Sequence, residues 1–348
     1  MVNTDSELLK SYTASQAAEM FNIELSNECR EVDKIYPALI SEYYLKLIDR
    51  NQLQTDPIWR QVMPDADELA VDGLIEDGLG EIAQSPTARL IHRYSDRVVL
   101  LTTGRCTTRC RFCFRKRTWR HGEELSDISD CELEDAINYL SKNSQIREVL
   151  VSGGDPLTLS NQRLQTIIKK INRVKSIDVI RIASRIPVTQ PQRIDGKLIN
   201  ILSTAGNVWF LTHFNHPHEI TEQSTNVCRA LINAGIPVLN QTVLLKGIND
   251  NADILEELFS KLVRIKVKPH YLFHIDPIHG VWHFATGIKR GLEIMRKLRP
   301  RLSSLATPTF AIDLPNGGGK VNLQPDYYTI NGFTAIDGRS IEHPGFFN

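Results

Sequence analysis

The sequence predicts an α/β protein whose core is a parallel sheet with helical crossovers. Three observations carry this. From Arg97 onward, short apolar or β-branched runs alternate with longer helix-period segments. Six such strand-then-helix units follow one another, the order that a parallel sheet with right-handed crossovers requires. The 348-residue chain is 41% hydrophobic and 24% charged, an ordinary balance for a folded globular protein. Six units make either an open doubly wound sheet or a curved partial barrel. Both place ligand-binding groups at the C-terminal ends of the strands.

The elements run in order. Residues 1–90 read as mainly helical, with patterns such as ALISEYYLKLI (38–48) and interruptions at Pro57 and Pro64. The strand candidates are 97–103, 147–154, 178–184, 207–214, 237–245 and 268–275, and the helix candidates lie near 129–143, 160–174, 197–204, 219–234, 252–265 and 285–298. A last run, PTFAIDLP (308–315), leads into NGGGK (316–320) and a short, partly extended tail.

Composition bounds the function. Lys plus Arg number 41 and Asp plus Glu number 41, so the formal charge is zero. That argues against holding nucleic acid or anionic lipid by bulk charge. No run of apolar residues is long enough for a membrane span, and MVNTDSELLKSY lacks the basic-then-apolar order of a secretory signal. A cytoplasmic protein of enzyme size, with no nucleic-acid or membrane partner, is the expectation.

Six cysteines are present, and three fall within eight residues in GRCTTRCRFCFRKR, as Cys106, Cys110 and Cys113. Three thiolates on one loop can face a single centre. Zinc normally takes four ligands, and the nearest candidates, His92 and His121, lie outside the loop. An iron–sulfur cube held by three cysteines leaves one iron open for a small molecule. The alternatives are a zinc loop completed by a distant residue, or three unrelated thiols. Arginines crowd the loop and favour thiolates. A second segment, AIDLPNGGGKVNL, puts Lys320 after three glycines. Val321 breaks the phosphate-loop pattern, so a lysine that binds pyridoxal phosphate is a better chemical fit, with a solvated turn as the alternative.

The spacing C-x3-C-x-aromatic-C, with Phe112 as the aromatic, resembles the signature of the radical S-adenosylmethionine superfamily. The ordered blocks DPIWRQVMP (56–64), HRYSDR (92–97), SGGDPL (152–157), HFNHPHEIT (213–221), NQTVLLKGIND (240–250) and DLPNGGGK (313–320) together resemble the lysine 2,3-aminomutase family. The resemblance implies a partial (βα)6 barrel over 91–305. A helical extension at 1–90 would precede it, and a C-terminal segment at 306–348 would carry the lysine.

It implies three cofactors: a [4Fe-4S] cluster on Cys106, Cys110 and Cys113, S-adenosylmethionine, and pyridoxal 5′-phosphate on Lys320. Ser152, Gly153, Gly154, Asp155, His213 and Gln241 would contact S-adenosylmethionine. Arg93, Tyr94 and Arg97 would lie by the pyridoxal group. Arg115 would pair with the substrate carboxylate, and Asp276 and Asp313 with its distal cation. The reaction implied is a 1,2-amino shift on a small amino acid, L-lysine to β-lysine. It would begin with hydrogen abstraction by a 5′-deoxyadenosyl radical. Arginine or ornithine as substrate, or β-lysine supply for modifying an elongation factor, are the alternatives within this chemistry. An electron donor such as flavodoxin or ferredoxin and a homo-oligomeric state are also implied. A non-catalytic iron–sulfur or zinc-binding regulatory module would need none of Lys320, Asp276 and Asp313. Phe114 and Asn316 depart from the family pattern, and Asn251 stands where many members have a cysteine of a structural zinc site.

Overall fold

A computed structural model describes residues 10–70, 73–315, 317–329, 332–335 and 338–341. Asn316 therefore lies outside the described residues. The main sheet has nine strands: β1 (Leu90–Tyr94), β2 (Arg97–Leu101), β3 (Glu148–Ser152), β4 (Val179–Ala183), β5 (Val208–Thr212), β6 (Val238–Val243), β7 (Lys268–Phe273), β8 (Thr309–Leu314) and β9 (Gly319–Asn322). They lie side by side in chain order. Every pair from β2–β3 to β7–β8 is parallel, while β1 and β9 pair antiparallel at the two ends. A doubly wound sheet would reverse its strand order partway. This sheet never does, so it curls one way into a nearly closed partial barrel with helices around it.

The crossover helices are α1 (Asp130–Lys142), α2 (Asn161–Asn172), α3 (Gly196–Thr204), α4 (Glu222–Asn233), α5 (Ala252–Arg264) and α6 (Ile288–Leu298). Five of them start at a side-chain cap: Ser129, Ser160, Asp195, Thr221 and Asn251 each accept from a backbone N–H of the first turn. Asn251 thus has a local structural task. The helices' apolar faces cover the outer face of the sheet. Val98, Leu100, Val149, Val151, Ile180, Ile182 and Phe210 alternate along the strands and meet Leu133, Leu140, Leu164, Ile168 and Leu255 in one core. The opposite pleat face lines the inside of the barrel.

The N-terminal reading needs correction. Within ALISEYYLKLI only Glu42–Leu45 is α-helical, because Ile40–Ser41 pairs with Ser11–Tyr12 as a small antiparallel ladder. Ala14–Met20, Asn27–Ile35 and Pro57–Val62 are helical as expected. The strands β1 and β9 were not expected; the His, Arg and Lys residues within them hide the alternation. The tail is partly extended, with three short antiparallel strands at Tyr328–Thr329, Gly332–Thr334 and Ser340–Ile341. Among the described residues, no helix is long and apolar enough to cross a membrane.

Candidate active site

The inside of the barrel is a cavity of ≈ 620 Å³. Every site residue expected from the sequence lines it: the three cysteines, Ser152 to Asp155, Arg93, Tyr94, Arg97, Arg115, His213, Gln241, Asp276, Asp313 and Lys320. It runs the length of the barrel. The cysteine loop lies beyond the C-terminal end of β2, whereas Arg97 stands at that strand's first residue.

The cysteine loop is clamped from behind by the N-terminal segment. Backbone N–H groups of Arg109 and Arg111 donate to Leu39 O at 2.7 Å and Gln61 O at 2.8 Å. Between Cys110 and Cys113, the fully buried Arg111 reaches the opposite way and binds Glu68 through Nε (2.7 Å) and Nη2 (2.5 Å). Lys116 Nζ also donates to Glu68 and to Gly280 O. Burial alone would raise the Glu68 carboxyl, but Arg111 and Lys116 together hold it down to about 2.

Burial pushes all three thiols up from their ordinary value. The negative charges of their neighbours add to this at Cys106, while Arg185 opposes it at Cys110. Coordination to a metal is what keeps such thiols ionised. Among the described residues, no group of three or more His, Cys, Asp or Glu converges on a single-ion site. His92 faces away, bonded through Nδ1 to Tyr139 Oη at 2.8 Å. Of the scattered cysteines, Cys228 is core and Cys131 is exposed.

The SGGD turn follows β3. A Cβ on Gly153 would stand 2.3 Å from Thr103 O, and one on Gly154 would stand 2.4 Å from Arg105 O. These glycines therefore let the turn pack against the start of the cysteine loop, and both also line the cavity. The Asp155 carboxylate is used locally. It accepts from Leu157 N at 3.0 Å, Ser184 Oγ at 2.8 Å and Arg185 N at 2.8 Å, joining the ends of β3 and β4.

His213 follows β5. Burial and the nearby Arg185 charge bring its imidazole down to about 3, so the ring is neutral. Its Nε2 is buried and has no hydrogen-bond partner among the described residues. Gln241 sits at a register shift, where His270 is the extra residue between Asn240↔Pro269 and Gln241↔Tyr271. Pro269 cannot donate to the ladder, which suits a bulge.

At the seam of the barrel, the β8–β9 hairpin sets Asp313 opposite Lys320. Lys320 Nζ is 4.0 Å from Asp313 Oδ2 and 4.3 Å from the ring centroids of both Tyr271 and Phe273. Burial lowers the Lys320 amine, with Arg181 and Arg97 adding to the fall and Asp313 opposing it. Asp276 follows β7; burial and the Asp313 charge raise its carboxyl to about 7. Arg93 is tied to Gln84 Oε1 and Leu79 O, both at 2.8 Å, and stands 3.8 Å from Asp313. Arg97 stacks on Tyr94 with 3.8 Å to the centroid and pairs with Asp96.

Some contributors escaped the sequence reading. Glu81 holds Arg115 by Nε and Nη2, at 3.0 Å and 2.7 Å. Burial works against Glu81, yet Arg115 and Arg117 keep its carboxyl below the ordinary range. Arg181 lines the cavity; its Nη2 pairs with Glu148, and its buried Nε has no partner among the described residues. Neither residue stands in a recognisable motif.

Residues 100–258 match the radical SAM superfamily, and residues 295–335 match lysine-2,3-aminomutase. The chain is 46% identical over 297 residues to a putative L-lysine 2,3-aminomutase of Aquifex aeolicus, an alignment covering 84% of this chain and 79% of that one. It is 44% identical over 306 residues to an L-lysine 2,3-aminomutase of Clostridium subterminale, covering 87% and 72%. The chain belongs to the lysine 2,3-aminomutase family. A glutamate 2,3-aminomutase of Clostridioides difficile is also similar, 39% identical over 303 residues, covering 87% of this chain and 71% of that one.

Membership in the lysine 2,3-aminomutase family makes the chain a radical SAM isomerase, and implies a [4Fe-4S] cluster and S-adenosylmethionine. The residues present fit both groups. Three thiols and a thiol-directed guanidinium border one end of the cavity, and the orphaned His213 Nε2 faces a ligand space beside them.

Proposed function

We propose that this aminomutase moves the α-amino group of L-lysine to the β-carbon, with pyridoxal phosphate carried on Lys320. The observation that carries the reading is the pair Asp276 and Asp313 beside Lys320, in the cavity that the cysteine loop also borders. Two carboxylates attract a cationic tail and repel an acidic one. That separates a lysine reading from the glutamate chemistry named for a relative of similar identity.

Pyridoxal phosphate bound there would supply an electron-accepting ring next to the migrating nitrogen. The fit rests on three features. The lowered Lys320 amine is a better nucleophile than an exposed lysine. The Tyr271 and Phe273 rings bracket its Nζ. The unpartnered Arg181 Nε and the Arg97 guanidinium offer cationic donors to a phosphate.

The chain's own share is positioning and exclusion. Arg115 would take the substrate carboxylate once Glu81 gives way. Asp276 and Asp313 would fix the distal ammonium, so that the carbons between lie along the cavity axis. Leu150, Ala183, Leu211 and Val243 make an apolar wall that keeps quenching water from the reacting carbons.

The test is an anaerobic assay of the reconstituted protein with S-adenosylmethionine, dithionite and a panel of lysine, arginine, ornithine and glutamate. Conversion of lysine to a β-amino isomer of the same mass is expected. Turnover of glutamate in preference to lysine would reject the reading.

A further inference from the structure

Arg185 follows β4 and is absent from the motifs that drew attention in the sequence. Its side chain is 8% exposed. Nη1 donates to Cys110 Sγ at 2.8 Å. Nη2 lies 2.6 Å from Gln61 Oε1, 2.7 Å from Glu219 Oε1 and 3.0 Å from Tyr44 Oη. Nε donates to His213 O at 3.3 Å. One guanidinium therefore touches a cysteine of the cluster loop, the chain at His213, and two side chains of the N-terminal segment.

The partners are themselves held. Tyr44 Oη donates to Glu219 Oε1 at 2.6 Å. Glu219 Oε2 accepts from the backbone N–H groups of Asn215 and His216, at 2.5 Å and 3.0 Å. Asn215 Nδ2 donates to Gln61 Oε1 at 3.0 Å. Asp155 fixes the Arg185 backbone N–H. Glu219 balances the buried positive charge, which leaves Nη1 aimed at sulfur. A lysine has a single ammonium on a flexible stem and cannot span these acceptors and the thiol together; the planar fork can.

We propose that Arg185 is the positioning residue that sets the electronic character of the cluster through Cys110. An N–H donor on a ligating sulfur stabilises the more negative, reduced cluster, so it raises the reduction potential. The same fork fixes the distance from Cys110 to the His213 turn, and hence from the cluster to the ligand beside it. The proposal rests on membership in the radical SAM superfamily and on these contacts. It does not depend on which amino acid is the substrate, so its failure leaves the lysine reading standing.

The experiment is an EPR-monitored potentiometric titration of the reconstituted protein, without amino acid substrate. Dithionite supplies the single electron that the cluster takes up. Wild type, Arg185→Lys and Arg185→Gln are compared at equal iron and sulfide content. The glutamine variant should titrate at a more negative potential, and the lysine variant between it and wild type. An exchangeable-proton coupling on the reduced cluster, lost in D2O, should vanish in the glutamine variant. An unchanged potential with the coupling retained overturns the proposal. If Arg185→Gln takes up no iron, wild type grown with ¹⁵N-arginine decides. A nitrogen coupling from arginine on the cluster supports the contact, and its absence overturns it.

Discussion

The Tyr94 hydroxyl accepts a hydrogen bond of 2.8 Å from the backbone N–H of Lys320. Tyr94 ends β1 and Lys320 lies in β9, the two strands at opposite edges of the sheet. The bond therefore crosses the seam of the partial barrel at the residue proposed to carry pyridoxal phosphate. Tyr94→Phe should keep the ring under Arg97 and lose this bond, costing about 1 kcal/mol in the hairpin. Pyridoxal phosphate should bind several-fold more weakly by absorbance titration, with iron content unchanged. Equal affinity in the variant would mean the seam bond does not place Lys320.

Lys320→Ala should abolish the pyridoxal absorbance and turnover while leaving the cluster spectrum intact. The two functions separate because Lys320 sits in the β8–β9 hairpin, whereas the cysteines sit beyond β2. Retained pyridoxal absorbance in the alanine variant would reject the assignment.

What was legible in the sequence followed from local chemistry. The strands from β2 to β8 showed as β-branched runs because both faces of a barrel strand leave the solvent. The cysteine spacing and the glycine run were legible because each is a contiguous motif. Arg185 was not, because its roles depend on Tyr44 and Gln61, 141 and 124 residues away in sequence. Glu68 and Glu81 were hidden likewise. Their region reads as a polar helical stretch, and only folding brings it against the basic cysteine loop. The glycines of SGGD line the cavity, and their missing Cβ atoms also let the turn lie against the Thr103–Arg105 backbone, a packing need that only the folded chain reveals.

The Asp276 carboxyl, raised to about 7 from an ordinary 3.8, makes a pH prediction with a definite sign. The folded state holds this proton more tightly than the unfolded chain. Stability contributed here is present below the ordinary value and lost as pH rises to the folded one. Urea unfolding should show Asp276→Asn losing less stability than wild type between pH 5 and 8, by at most about 3 kcal/mol. Lysine binding has the opposite trend, since the ionised carboxylate holds the cation. Wild-type affinity should rise from pH 6 to pH 8, and Asp276→Asn should bind weakly at both. Parallel pH profiles for the two proteins would sink the substrate assignment.

Glu68 compensates two buried cations, Arg111 and Lys116, behind the cysteine loop. Glu68→Gln keeps the volume and leaves the Arg111 charge unbalanced, while Lys116, whose amine burial already lowers to about 7, loses the carboxylate that opposes this fall. Removing one partner of a buried ion pair costs about 3–5 kcal/mol. Urea unfolding of the cluster-free protein at neutral pH should show a loss of that size. Because the Glu68 carboxyl is held at about 2, below its ordinary 4.5, its contribution is full above the ordinary value and fades as pH falls through the folded one. The difference between wild type and Glu68→Gln should therefore shrink in acid. A loss under 1 kcal/mol at neutral pH would mean the triad is not what holds the loop.

Glu81 occupies the fork of Arg115 that the proposal reserves for the substrate carboxylate. One carboxylate must therefore replace another, and the incoming group gains only the difference between them. Glu81 is also bonded by Arg117 at 3.1 Å, so its release leaves it a second cation nearby. Glu81→Gln keeps a weaker, neutral acceptor for Arg115 and lowers the cost of exchange. A hydrogen bond to a charged group is worth about 1.5–3 kcal/mol, so the variant should bind lysine roughly tenfold more tightly or better. Lysine amide has no carboxylate and makes no claim on the Arg115 fork, so its affinity should not change. Isothermal titration with both ligands on the cluster-loaded protein separates the cases. Equal gains for lysine and its amide would show that Arg115 does not receive the carboxylate.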